Sequence, residues 1–86
     1  MEYSFEETDD EHLGTGDDLE MLREDLIGEL QTINQYEEHM DSLGNEEALA
    51  TLEHIIAEEK EHVAELVKLI ESLDPVQAEK FRKENL

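Results

Sequence analysis

Apolar residues recur along most of the chain at alternating intervals of three and four, the period of a helix packed in a bundle. One stripe is Leu19, Leu22, Leu26, Glu29, Ile33, Tyr36 and Met40. A second is Ala48, Leu52, Ile55, Glu59, His62, Leu66, Leu69 and Leu73. Strict heptad spacing predicts a left-handed seam between two helices. Flanking apolar residues widen each stripe to the face of a bundle helix: Leu30 on the first, and Leu49, Ile56, Val63, Val67 and Ile70 on the second. No run alternates at period two, so the fold class is all-α.

Punctuation sets the element ends. Residues 1–16 carry Glu2, Glu6, Glu7, Asp9, Asp10 and Glu11, two of the four glycines and no period. They read as a disordered acidic tail, and residues 17–86 as the folded domain. Asp17 or Asp18 suits the first N-cap, with Glu20 placed for a capping interaction. The first helix runs to about Ser42, and only Gly28 weakens it. Gly44-Asn45 is the turn: Gly44 suits the position past a helix end, Asn45 the next N-cap, and Glu46 and Glu47 the first turn. The second helix runs to about Leu73. Asp74-Pro75 stops it and opens a third, to about Lys83, which offers Val76 and Phe81 to the hairpin. The expectation is an antiparallel hairpin of two helices, each about 40 Å long, plus a short C-terminal helix.

Charge narrows the function. With 26 Asp+Glu against 6 Lys+Arg, the 86 residues carry a formal net charge of −20. Such a field repels nucleic acid and anionic membranes and attracts cations or basic surfaces. It equally suits a salt-adapted surface. There is no Cys, which excludes thiolate metal sites, disulfides and cysteine nucleophiles. No apolar run reaches the roughly 20 residues of a membrane span, and the acidic N-terminus lacks the apolar core of a signal peptide. A cytoplasmic location is the expectation.

The chemistry lies where the seams turn polar. Glu29 is in the middle of the first stripe, and Glu59 and His62 are adjacent positions of the second. Counted from the turn near residue 44, Glu29 is 15 back and Glu59 is 15 forward. In an antiparallel hairpin they come level, with His62 one turn along from Glu59 on the same face. Carboxylates in an apolar seam are costly unless paired or bound to a metal. Two carboxylates and an imidazole suit iron, with manganese or zinc as substitutes. Four-helix di-iron proteins take a Glu from each of two helices and a Glu-x-x-His from each of the other two. This chain holds one of each, which is half a site. Two copies would complete a four-helix bundle with a di-iron centre shared between them, so the chain is expected to be a homodimer at least. The rival reading of the polar seam is register control, as in coiled coils.

The stretch Glu29-Leu30 to Tyr36, followed by Ile56-Ala57-Glu58-Glu59-Lys60-Glu61-His62, resembles the ferritin-like superfamily, in particular the encapsulated ferritins, two-helix half-ferritins carried inside encapsulin shells. The resemblance covers residues 18–84, and Glu-Glu-Lys-Glu-His is its most specific run. It implies a ferroxidase centre between two chains, with Glu29, Glu59 and His62 as metal ligands. It also implies rings of dimers, an encapsulin shell as partner and a nanocompartment as location. Gln35 stands where those relatives often have an aromatic residue. The chain ends at Phe81-Arg82-Lys83-Glu84-Asn85-Leu86 without their linker and targeting peptide. Leu13-Gly14-Thr15-Gly16 is only faintly similar to such a peptide.

Other residues have both a bland and a functional role open to them. Tyr36, two turns from Glu29, is a core tyrosine or a hydrogen-bond donor and electron relay beside the metal. Glu47, Thr51, His54, Glu58, Glu61, Glu65 and Lys68 form a stripe without an apolar member, hence a solvated face. Within it, His54, Glu58, Glu61 and Glu65 could make a secondary metal or entry site. Gln31, Asn34 and His39 belong to the surface, and Met21 and Met40 to packing. The function expected is oxidation of Fe2+ by O2 or peroxide for iron storage or detoxification. The alternatives are a peroxide-scavenging di-iron protein and a non-catalytic acidic helical adaptor that binds a basic partner.

Overall fold

The computed structural model describes residues 15–86, which form three helices and no strand: α1 (Thr15–Ser42), α2 (Glu46–Leu73) and α3 (Pro75–Lys83). The all-α hairpin with a short C-terminal helix is therefore the fold of these residues. None of their helices is long and apolar enough to cross a membrane. Of the tail expected at residues 1–16, residues 1–14 lie outside the described residues, while Thr15 and Gly16 belong to the first helix.

Caps account for most of the boundaries. The side chain of Asn45 accepts from the backbone N–H of Ala48 at 2.8 Å, opening α2 with Glu46 and Glu47 in its first turn. Asp74 serves two helices. Its backbone N–H donates to the Ile70 carbonyl at 2.9 Å and closes α2. Its side chain accepts from Gln77 N–H at 3.2 Å and opens α3, with Pro75 in the first turn. Lys80, Arg82 and Lys83 fall in the last turn of α3, where cations complement the helix dipole. That helix ends on Asn85 at φ 62, with Leu86 N–H donating to Phe81 O and Asn85 N–H to Arg82 O, a Schellman closure.

Three local expectations need correction. The first helix begins at Thr15, so Asp17 and Asp18 lie in its first turn rather than capping it. Acids are favourable in either place, which is why composition alone did not separate the two. No glycine among the described residues has positive φ. Gly44 is therefore not a left-handed cap; instead Leu43 N–H closes α1 on His39 O at 3.1 Å and Met40 O at 3.4 Å. Val76 does not pack on the hairpin and is 64% exposed. Phe81 is half-buried, with Leu26, Val67 and Ile70 around the same small pocket.

The hairpin is thin. Only Ile33, Ile56 and Ile70 are buried. Ile56 and Ile70 belong to the flanking stripe of α2, not to its heptad stripe, so α1 packs against one side of a broader apolar face. The heptad stripe stays half-buried at Leu52, Ile55, Glu59, Leu66 and Leu73, and is exposed at His62 and Leu69. At one end α3 covers the flank that carries Ile70, held by an ion pair from Arg23 Nη2 to Asp74 Oδ2 at 2.9 Å. Gly28 sits inside α1, where glycine costs about 1 kcal/mol relative to alanine.

Candidate metal centre

Glu29 on α1 and Glu59 and His62 on α2 meet at mid-hairpin. His62 Nδ1 lies 3.3 Å from Glu59 Oε1 and 3.7 Å from Glu29 Oε1. One donor atom from each residue lies within 4.8 Å of the other two. Among the described residues no other three His, Asp or Glu converge in this way. The level placement of Glu29 and Glu59 follows from the turn: equal helix lengths of 28 residues on either side of a three-residue loop put their midpoints side by side. The i, i+3 spacing then sets His62 against Glu59.

The side chains of Glu59 and Glu29 are 19% and 29% exposed, that of His62 50%. Two ionised carboxylates at this separation repel by roughly 3 kcal/mol at an effective dielectric of about 20. His62 offsets that only when protonated. Lys60, next to Glu59 in sequence, is turned to Glu37 at 3.7 Å. The donor set of two carboxylate oxygens and one imidazole nitrogen, with no thiolate in the chain, fits iron, manganese or zinc. It fits because the acids are already gathered and the missing component is positive charge.

The triad opens on a groove along one flank of the hairpin. Beside Glu29 and His62, the groove is lined by Glu24, Asp25, Gly28 and Thr32 of α1 and by Glu65, Leu66 and Leu69 of α2. Leu66 and Leu69 belong to the heptad stripe, whereas Gly28 and Thr32 are missed by a heptad reading. The signal for Gly28 and Thr32 is their i, i+4 spacing next to Glu29, which puts them on one edge of the seam. The ring nitrogen turned to the carboxylates is Nδ1, with Glu59 Oε1 within its hydrogen-bond reach, as the i, i+3 spacing provides.

The remaining candidates are not part of this cluster. Tyr36 is half-buried, and its hydroxyl makes no hydrogen bond to another described residue. Along the solvated stripe the structure joins only His54 and Glu58, Nε2 to Oε2 at 3.3 Å, with side chains 71% and 60% exposed. Glu61 and Glu65 are exposed, and Glu65 faces the groove instead. Every member of that stripe, from Glu47 to Lys68, is exposed, as its lack of apolar residues requires.

Two curated relatives resemble the chain. One is encapsulin nanocompartment cargo protein EncB of Myxococcus xanthus (strain DK1622), 43% identical over 67 residues, which are 78% of this chain and 42% of that protein. The other is encapsulin nanocompartment cargo protein EncC of the same organism, 46% identical over 57 residues, 66% of this chain and 44% of that protein. The chain spans less than half the length of either. No family model matches it, and no solved structure does.

These findings correct the superfamily assignment. The similar proteins are described as encapsulin cargo, and no ferritin-like family or structure stands behind the resemblance. The ferroxidase and iron-storage roles drawn from the superfamily lose that ground. The physical reason is the brevity of the motif: Glu-x-x-His recurs readily in a helix as acidic as α2, so the run specifies a local donor pair and not a lineage. The chain is similar to encapsulin nanocompartment cargo proteins over most of its length.

Proposed function

We propose that the chain is a partner-binding cargo module of an encapsulin compartment, whose open flank pairs with a second copy and holds a transition-metal ion. The similarity to two encapsulin cargo proteins supports the first part. The observation that carries the second is the convergence of Glu29, Glu59 and His62 at mid-hairpin. Glu29 and Glu59 would hold the ion through oxygen and His62 through Nδ1, the nitrogen turned to both carboxylates. Three donors from one chain leave room for a partner's donors, and pairing would also cover the half-exposed Leu69. Bound there, iron would supply one-electron chemistry with O2 or peroxide; this enzymatic form of the proposal is supported by the donor set alone. The acidic surface would raise the local concentration of cations.

Co-expression with an encapsulin shell protein, followed by purification of intact shells, tests the cargo reading. The chain should be retained with the shells and should carry metal. Its absence from the shells would remove the cargo reading. Retention without metal, unchanged by Glu59→Ala and His62→Ala together, would leave a metal-free adaptor.

A further inference from the structure

The end of the hairpin that carries α3 differs in charge from the rest of the chain. Four of the chain's 6 Lys+Arg belong to it: Arg23 on α1, and Lys80, Arg82 and Lys83 on α3. Glu79 and Glu84 alternate with the α3 cations, so that stretch is close to balanced, whereas α1 and α2 are acidic along their length. Between the three helices lies a small cavity of about 180 Å³, lined by Arg23, Leu26, Val67, Ile70, Gln77 and Phe81. Its walls are mainly apolar, and Lys80 and Arg82 flank Phe81 in sequence. Met21 and Val76, 56% and 64% exposed, add uncovered apolar surface at the same end.

Residues 1–14 join the helices at this end. In an antiparallel hairpin the start of α1 lies by the end of α2, and therefore by α3. Arg23, which pairs with Asp74, is eight residues along α1 from Thr15, about 12 Å. The stretch from Phe5 to Thr15 can reach about 33 Å. Residues 1–14 hold six acids and no Lys or Arg, and their aromatic pair, Tyr3 and Phe5, stands among Glu2, Glu6 and Glu7. An aromatic residue flanked by acids is complementary to an apolar cavity with cations at its edge, and on so acidic a chain this end repels such a segment least.

We infer that residues 1–14 strap the chain's own α3: a ring of the Tyr3-Ser4-Phe5 stretch fills the cavity between the three helices, with Glu6 and Glu7 set against Lys80, Arg82 and Lys83. Tethering gives the segment an effective concentration of roughly millimolar at the cavity, so weak contacts suffice. The strap adds apolar contact to α3, none of whose residues is buried against the hairpin. The inference does not depend on the metal centre, whose groove is lined by other residues.

Amide hydrogen exchange of the metal-free full chain tests it against two variants. One lacks residues 2–14; the other is Tyr3→Ser with Phe5→Ser, which keeps every acid. Removing six acids from a chain of net charge −20 relieves self-repulsion. Without a strap, the shortened chain should therefore exchange no faster than the full one. With it, α3 amides in both variants should exchange at least about fivefold faster, through easier local opening, while amides around Glu59 stay unchanged. A synthetic peptide of residues 1–14, added in excess to the shortened chain, should restore the protection of α3. Unchanged or slower α3 exchange in either variant would overturn the inference. Protection of the full chain that fell on dilution would also overturn it, by assigning the segment to another copy.

Discussion

The two flanks of this hairpin have opposite chemistry. On one, Ile56 and Ile70 are buried, α3 lays Phe81 beside Leu26 and Val67, and Arg23 clamps Asp74. Apolar surface there meets apolar surface, and the ion pairs Arg23–Asp74 and Lys60–Glu37 lie at its rim. On the other, two carboxylates and an imidazole converge beside an exposed Leu69 and an unfilled Gly28. Near Ile70 the first flank is covered by the chain's own α3. The second gathers two carboxylates beside one imidazole, with the nearest lysine, Lys60, turned to Glu37 instead. The contrast separates the residues that hold the fold together from those gathered at the candidate metal centre: the two sets occupy different parts of one broad face of α2.

Substitutions should separate the flanks. The largest effect expected is Ile70→Ala, at a residue 5% exposed in a core of three. It should cost about 2–5 kcal/mol and unfold much of the metal-free chain, read by urea titration of the circular dichroism signal. Next is Glu59→Ala with His62→Ala. Metal affinity should fall by at least about 100-fold, beyond the loss seen when only supporting residues are removed. Helicity should persist, and the metal-free chain should be no less stable, because the crowding of carboxylates is relieved. Asp74→Ala should cost about 1–2 kcal/mol through loss of the α3 cap. Hydrogen exchange should then accelerate in α3 and not at mid-hairpin. Arg23→Ala, at an exposed ion pair, should cost roughly 0.2–1 kcal/mol, and high salt should erase the difference from wild type. If Arg23→Ala or Asp74→Ala released metal as strongly as the ligand variants, the separation of the flanks would be broken.

Much of this was legible from residues. Asn45 and the Asp74-Pro75 pair announce their helix boundaries because capping is local chemistry, independent of packing. The meeting of Glu29 with Glu59 and His62 needed only a turn position and two equal counts. What periodicity could not give was the choice between two apolar stripes on α2. Ile56, Val63 and Ile70 repeat every seven residues as faithfully as Leu52, Glu59 and Leu66, and only docking against α1 distinguishes them. Gly28 was legible as a weak point of a helix, but its open surroundings were not, because emptiness is a property of the tertiary arrangement. The superfamily was overread for a related reason. A donor pair at i, i+3 reports what one turn of helix can bind, whereas the similarity to the two cargo proteins extends over 67 and 57 residues.

The central claim is that the open flank is completed by a metal ion and a second copy. Its most direct test is native mass spectrometry of the purified chain after anaerobic loading with Fe2+ and removal of the excess. The account predicts an even number of chains holding about one iron per chain, as a centre shared by paired hairpins requires, and reversion to metal-free single chains in Glu59→Ala/His62→Ala. Single chains without iron, or iron retained equally by that variant, would contradict it.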